Sequence, residues 1–290
     1  MQKISEADLI INQDGSIYHL NILPEDVAPI VITVGDQDRV SEITKHFDHI
    51  ELRKGKREFL THTGTLGGKR ITVISTGIGT DNIDIVLNEL DALVNIDFHT
   101  REIKKQLTSL SIIRIGTSGS VQPNLPIGSI VASSHGFGID ALMNYYQSYP
   151  TEEEAELLRS LKVHVTGLDT LSPYLTSGSS LLLDAIAKDL FKGITVTAPG
   201  FYAPQGRKVR AQVRFPDLIE QLGSFKKGDH RVTNLEMETA GIYALAKVLG
   251  HKALSINAVL ASRTTFEFSK NPQEVVDKAI IHVLERLNNI

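Results

Sequence analysis

Ile112-Ile-Arg-Ile-Gly-Thr-Ser-Gly119 begins as a short apolar run of strand type with one arginine inside it, and ends as a turn of small and hydroxyl residues. A buried strand rarely tolerates an arginine unless an anion waits for it. Gly116, Thr117, Ser118 and Gly119 let backbone come close to such an anion and offer N–H and hydroxyl donors. The stretch therefore predicts one of two things. Either a strand end holds an oxyanion, or a core strand runs into a β-turn and Arg114 pairs with a carboxylate or reaches solvent.

Outward from this strand the chain alternates strand and helix patterns. Residues 1–28 are polar and irregular. Residues 29–34 predict a buried strand, and Gly35-Asp-Gln-Asp-Arg39 turns it into a helix running to about residue 47. Residues 58–63 and 69–75 flank Gly67-Gly68, a hairpin signal. Ile85, Leu87, Leu90 and Leu93 have helical spacing within 81–95. A charged, helix-like segment at 98–106 leads into the opening strand. Beyond it come a short strand at 129–132 and a tyrosine-rich loop at 136–178 with an acidic helix near 152–161. A helix at 181–191, an extended stretch at 193–198 and a loop at 199–210 follow. The last elements are a helix at 235–249, a strand at 251–260 and an amphipathic helix at 272–287. Alternation with one hairpin predicts the α/β class with a mixed sheet. No linker, repeat or low-complexity tract divides the chain, so one domain over residues 1–290 is expected.

Composition narrows the function classes. The chain has 290 residues, a net charge of −4 and no cysteine. The charge gives no reason to expect nucleic acid or an anionic membrane as a partner. Without cysteine there are no disulfides, no thiolate catalysis and no cysteine metal sites. The first residues bring acids where a signal peptide needs its apolar core, and no apolar run approaches a membrane span. A soluble cytoplasmic protein is expected.

Several motifs imitate known sites and fail. Gly77-Ile-Gly79 after a strand lacks the third glycine of a dinucleotide fingerprint, since Asn82 stands there. Gly64-Thr-Leu-Gly-Gly-Lys69 misses the spacing of a phosphate loop. No Gly-x-Ser-x-Gly elbow appears. Ten histidines include no His-Glu-x-x-His or comparable cluster, so no zinc site and no cofactor are expected. Three motifs carry more. The turn Gly35–Arg39 aims N–H groups and a helix N-terminus above the sheet, favouring an anion, although Arg39 would serve equally as a partner of Asp36 or Asp38. Asn234-Leu-Glu236-Met-Glu238, just before and inside a helix start, is either a cap with dipole-complementing acids or a carboxylate rim for sugar hydroxyls with Met237 as an apolar floor. Phe201-Tyr-Ala-Pro-Gln205-Gly-Arg207 places an aromatic, an amide and a guanidinium where a planar base would stack and hydrogen-bond.

In this order the motifs resemble the nucleoside phosphorylase superfamily, specifically the uridine phosphorylases. The likeness rests on Gly35–Arg39, Arg57-Glu-Phe59, Ser75-Thr-Gly-Ile-Gly79, Arg114–Gly119 and Glu236-Met-Glu238, and it runs from about residue 19 to 265. It implies a three-layer α/β/α fold around the mixed sheet. It also implies reversible phosphorolysis of uridine to uracil and ribose 1-phosphate, with inorganic phosphate as co-substrate. By that resemblance Gly35, Arg39, Arg114 and Thr117 bind phosphate, joined by Arg57 of a neighbouring subunit. Glu238 and Met237 hold the ribose, and His19 of the neighbour meets its 5′-hydroxyl. Phe201, Gln205 and Arg207 recognise uracil, Ser118, Gly119 and Glu236 line the same pocket, and Arg114, Gln205 and Arg207 carry the catalysis. Shared sites imply a homo-oligomer, at least a dimer, and a ring of three dimers is common in the family. Some members hold a potassium ion between subunits near positions matching Glu58, Ile71 and Ser75. Purine-specific relatives carry Ser-Asp where this chain has Ser262-Arg263, which points to the pyrimidine branch. A purine nucleoside phosphorylase or a nucleosidase of the same fold is the alternative. Thr80-Asp-Asn82 departs from the family's Gly-Pro-Ser after Gly79.

Overall fold

The computed structural model describes residues 3–290. Its strands are β1 (Ile30–Val34), β2 (His49–Lys56), β3 (Phe59–Leu66), β4 (Lys69–Ser75), β5 (Ile96–Asp97), β6 (Glu102–Ile103), β7 (Ser111–Ser120), β8 (Ile130–Gly138), β9 (Tyr174–Ser177), β10 (Phe191–Thr197), β11 (Lys226–Lys227), β12 (His230–Glu236) and β13 (Lys252–Ser262). Its helices are α1 (Gln37–Thr44), α2 (Thr80–Asn95), α3 (Glu152–His164), α4 (Ser180–Ile186), α5 (Leu218–Ser224), α6 (Thr239–Leu249) and α7 (Pro272–Arg286). The main sheet runs β11-β12-β10-β8-β13-β7-β1-β4-β3-β2, with β9 on β8. β7 lies parallel to β1 and β13, while β8 and β13 are antiparallel, so the sheet is mixed. It also curls. β12 returns to pair antiparallel with the far end of β7, Leu235 opposite Gly119.

Side-chain alternation divides the core between the two faces of this sheet. Val31, Ile74 and Ile112 pack against α2 and α6, whereas Ile32, Val73, Ile113 and Ile115 pack against α1, α4 and α7. Strands buried on both faces read as nearly continuous apolar runs, as β1, β4 and the first half of β7 do apart from Thr33, Thr72 and Arg114. Arg114 shares the α2/α6 face with Ile112 and pairs with Thr33, one step from the C-terminal end of β1.

Several expectations are corrected. The Gly-Thr-Ser-Gly half of the opening stretch is strand through Ser120, because β13 pairs with it along its length. Residues 98–106 form no helix. Asp97 Oδ1 accepts the N–H groups of His99 and Thr100, and the turn closes the small β5–β6 hairpin. The helix expected from 235 starts at Thr239, so Asn234–Glu236 end a strand. The short strand at 129–132 extends to Gly138, and the helix at 181–191 stops at Ile186. Residues 3–28 are irregular but not wholly polar in effect, since Leu9, Ile17, Leu20, Ile22 and Val27 are buried in the α2/α6 core.

Within 136–178 the acidic helix is anchored by one carboxylate. The Thr151 side chain and Glu154 form a capping box at the start of α3. Glu154, 1% exposed, also accepts from the Ser177 N–H and hydroxyl at 2.8 Å and from Lys247 Nζ at 2.7 Å. Burial raises its pKa, but the Lys247 and Ser177 bonds outweigh burial and pull it from 4.5 down to about 2. A carboxylate depressed in the folded state stabilises above its unfolded pKa and loses that contribution as pH falls through the folded value. Wild-type stability is therefore expected to drop by roughly 2–3 kcal/mol between about pH 4.5 and 2 from this group alone. Denaturant titrations should show Glu154→Gln already weakened at pH 7 and lacking this component. An unchanged acid slope would contradict the assignment.

Candidate active site

The ends of β1, β4, β7, β12 and β13 meet around a cavity of about 880 Å³. Of the residues expected in the site, Gly35, Arg39, Arg114, Thr117, Ser118, Gly119, Phe201, Gln205, Arg207, Glu236, Met237 and Glu238 all line it. Carboxyl ends of strands are where open α/β sheets bind ligands, because helix N-termini and loops converge there. β1 and β4 end side by side and bring two glycine turns together. A Cβ on Gly35 would lie 3.4 Å from the Gly77 carbonyl.

Register explains the central arginine. Arg114 lies between Thr33 of β1 and Ser255 of β13, on the face that meets the start of α6. Its Nη1 donates to Asn257 Oδ1 at 2.7 Å. Its Nη2 donates to Glu238 Oε2 at 2.5 Å and lies 2.9 Å from Glu236 Oε2. Burial disfavours the charge, yet the two carboxylates more than offset it and the pKa is raised. Thus the carboxylate pairing is real, and the same arginine still faces the cavity. Gly116 makes room for it: a Cβ there would stand 1.9 Å from Nη1. Gly116→Ala is expected to displace a guanidinium that three partners hold, lowering kcat/KM about ten-fold or more. Steady-state rates check this, and wild-type rates would show that the position of Arg114 is not critical.

The carboxylates are fixed as tightly. Glu236 accepts from the Thr197 hydroxyl at 2.7 Å and from the backbone N–H groups of Glu238 and Thr239. Glu238 caps a helix: its Oε1 accepts the Gly79 N–H at 2.8 Å, at the N-cap position of α2. Burial raises the Glu238 pKa, the neighbouring Glu236 carboxylate adds to the rise, and Arg114 opposes both. Gly77 and Gly79 have φ of +70° and +98°, and a Cβ on Gly77 would meet the Asn82 amide at 2.4 Å. Asn82, a departure from the family pattern, is therefore packed onto the turn.

Arg39 is different. It is half-buried, lines the cavity and makes one side-chain hydrogen bond among the described residues, to the Ile115 carbonyl at 3.5 Å. Among the described residues no carboxylate lies within ion-pair distance of it, so the pairing with Asp36 or Asp38 is not found. Asp36 instead caps α1 through the Asp38 N–H. Burial, then the charge of Arg114, lowers its pKa. Two further donors have no partner among the described residues: Ser118 Oγ and Arg263 Nε, both buried and both on residues lining the cavity.

The loop after β10 builds the other wall. Arg207 Nη1 donates to Gln205 Oε1 at 2.8 Å, and its guanidinium lies 3.6 Å from the Phe201 ring centroid. Engaging the Gln205 oxygen turns its amide NH₂ toward other acceptors. Burial, then Arg263, lowers the Arg207 pKa to about 10.

His19 and Arg57, expected from a neighbour, do not line this cavity. His19 Nδ1 lies 2.6 Å from Glu89 Oε1, and Arg57, at φ +56°, is exposed between β2 and β3. Of the positions at which the resemblance implies a potassium ion between subunits, the Ser75 hydroxyl donates to the Glu58 carbonyl and accepts the Leu60 N–H, and Ile71 is buried four residues, about 13 Å, along β4. Sequence reasoning missed the site roles of Asn257, Leu260 and the 266–268 segment, although a polar Asn257 inside an apolar strand was a signal.

Comparison with known proteins agrees with this geometry. The profile of the Phosphorylase superfamily matches residues 29–288. The uridine phosphorylase of Thermococcus kodakarensis is 30% identical over 272 residues, 93% of this chain and 86% of its own. The Escherichia coli uridine phosphorylase is 25% identical over 287 residues, 94% of this chain and 98% of its own. The crystal structure of a Trypanosoma brucei nucleoside phosphorylase, described as showing uridine phosphorylase activity, superposes with a TM-score of 0.89 at 30% identity, covering 98% of this chain and 100% of that one. With its arginines, paired glutamates and glycine turns gathered at the strand ends, the chain belongs to the phosphorylase superfamily.

Proposed function

We propose that the protein is a uridine phosphorylase, converting uridine and inorganic phosphate reversibly to uracil and ribose 1-phosphate. The single observation that carries this reading is Arg39, a half-buried guanidinium without a carboxylate partner, beside Arg114 in a cavity that also holds two paired glutamates. An anion between Arg39 and Arg114 relieves their mutual repulsion, and Gly35 and Thr117 line the same end. The relatives named uridine phosphorylase support the choice of reaction.

Phosphate is already a nucleophilic anion, so the arginines position it rather than deprotonate it. Glu238, fixed by Arg114 and the Gly79 N–H, accepts a ribose hydroxyl above Met237. A phosphate oxygen forms the new bond to the anomeric carbon as the glycosidic bond breaks. The electron pair of that bond leaves with uracil. Gln205 and Arg207 donate to the charge growing on the base, and Phe201 packs beside them. The unpartnered Ser118 and Arg263 donors offer further bonds in the same cavity. Arg263 also stands where purine-specific relatives carry an acid, which favours a pyrimidine. Such an enzyme belongs to nucleoside catabolism and pyrimidine salvage in the cytoplasm. No described helix is long and apolar enough to cross a membrane. Subunits would pair so that His19 and Arg57 complete a neighbour's site.

Incubation with uridine, thymidine, inosine and adenosine, each with and without phosphate, tests the reading by release of free base. Uracil released only with phosphate is expected. Phosphate-independent release would indicate a nucleosidase, and purine-only release a purine phosphorylase; either overturns the proposal.

A further inference from the structure

Three potential ligands from three separate elements converge away from the cavity: His135 on β8, His230 at the start of β12 and Glu153 in the first turn of α3. His230 Nε2 is 3.4 Å and His135 Nε2 3.9 Å from the same Glu153 Oε1. The two rings stand edge to face with centroids 5.3 Å apart. All three ligand atoms lie within 4.8 Å of one another, and this is the one such group among the described residues. We propose that His135, His230 and Glu153 form a zinc site that ties α3 to the sheet, with its remaining coordination open to water.

The spacing suits the ion. Tetrahedral zinc with bonds of about 2.0–2.2 Å places neighbouring ligand atoms about 3.3–3.5 Å apart. The two Glu153 distances need contraction of about 0.5 Å at most, within the reach of a solvent-exposed glutamate, and the two imidazole nitrogens, within 4.8 Å of one another, need up to about 1.5 Å, which falls to the half-exposed His230 ring. Two imidazoles and a carboxylate match zinc rather than magnesium or calcium, which take oxygen ligands. At 3.4 and 3.9 Å both Nε2 atoms are at ion-pair distance from Glu153, longer than an ordinary N–H···O bond, so an ion pair with a charged histidine is the competing account that the metal titration decides.

The surroundings hold the ligands ready. His135 is buried, and its Nδ1 lies 3.1 Å from Ser134 Oγ, which leaves Nε2 as the free nitrogen. An engaged Nδ1 of this kind orients metal-binding histidines generally. Glu153 follows the Thr151 cap and precedes Glu154, whose bonds to Ser177 and Lys247 lock that turn in place. His230 and Glu236 are six residues apart on β12, about 20 Å, so the metal is structural and takes no part in bond cleavage. Sequence spacing could not reveal the group, because its members lie on three elements and share no local motif.

The test uses tag-free full-length protein stripped with a chelator and then titrated with Zn²⁺ or Co²⁺ alone. One metal ion per chain is expected, with the intense visible absorption of tetrahedral cobalt and a higher thermal midpoint in zinc. His230→Ala and Glu153→Gln, both at exposed or half-exposed positions, should each weaken binding about ten-fold or more and abolish the thermal shift. A His46→Ala/His49→Ala double variant should bind as wild type. Failure to bind stoichiometric metal, an octahedral cobalt spectrum, or binding that survives both ligand variants would overturn the proposal, as would its loss in the double variant. Because the readouts are metal content and spectra, failure here leaves the uridine phosphorylase reading untouched.

Discussion

Arg114→Ala is expected to lower kcat/KM by about 10³ or more, the upper end of what one preorganised charged donor contributes. Two losses combine. The cavity loses one of two guanidinium groups facing the phosphate position, and Glu238 loses the partner that holds it for the ribose. Glu236 and Glu238 are also left buried and under-compensated, which costs about 3–5 kcal/mol when a buried pair is broken from one side. Rate and stability must therefore be measured together. Glu238→Gln separates them, because it keeps the shape and a donor–acceptor set while removing one charge. It should fold and still lose about 10² in kcat/KM. A folded Arg114→Ala protein with wild-type turnover would remove Arg114 from the mechanism.

Arg207→Ala should cost about 10²–10³ in kcat with uridine while the KM for phosphate changes little, since Arg207 belongs to the base-binding loop rather than the phosphate end. Burial and Arg263 weaken the hold on its proton, but the guanidinium remains charged at working pH, so it serves as a charged donor and not as a titrating acid. Steady-state rates at varied uridine and phosphate measure both constants, and a wild-type kcat would exclude Arg207 from stabilising the departing base.

Much of the scaffold was legible in the sequence because its signals are local. β1, β4 and the first half of β7 are mostly apolar, broken only by Thr33, Thr72 and Arg114 within their cores, and α2 and α7 keep helical spacing. The misses have physical causes. β2 carries His49, Glu51, Arg53 and Lys54 at a sheet edge, where charge protects an edge but hides the strand pattern. β12 carries Thr233 and Asn234 near its end, buried polar residues whose hydroxyl and amide oxygen are bonded to Ile194 and Thr195 while the Asn234 amide nitrogen has no partner among the described residues, so it lacks an apolar signature and the sequence suggests a helix there that begins only at Thr239. Gly116–Gly119 has the composition of a turn and is strand only because β13 pairs along it. Loop 136–178 was opaque for a related reason: what orders it is Glu154, Ser177 and Lys247, three residues far apart in sequence.

The candidate site was legible by resemblance more than by chemistry. Each motif alone admitted an ordinary reading, and for Arg114 that reading is partly true, since it is paired with two carboxylates. Its partners Asn257 and Ser255 could not be named in advance, because strand register alone sets them opposite it. The structure shifts emphasis from Arg114 to Arg39 as the guanidinium left unpaired. Arg57 and His19 stand outside the cavity of their own chain.

Phosphorus NMR of the purified protein with uridine and inorganic phosphate tests the central claim most directly. The account predicts a ribose 1-phosphate signal growing in step with free uracil, while inorganic phosphate falls by the same amount. Uracil appearing with free ribose and an undiminished phosphate signal would contradict it.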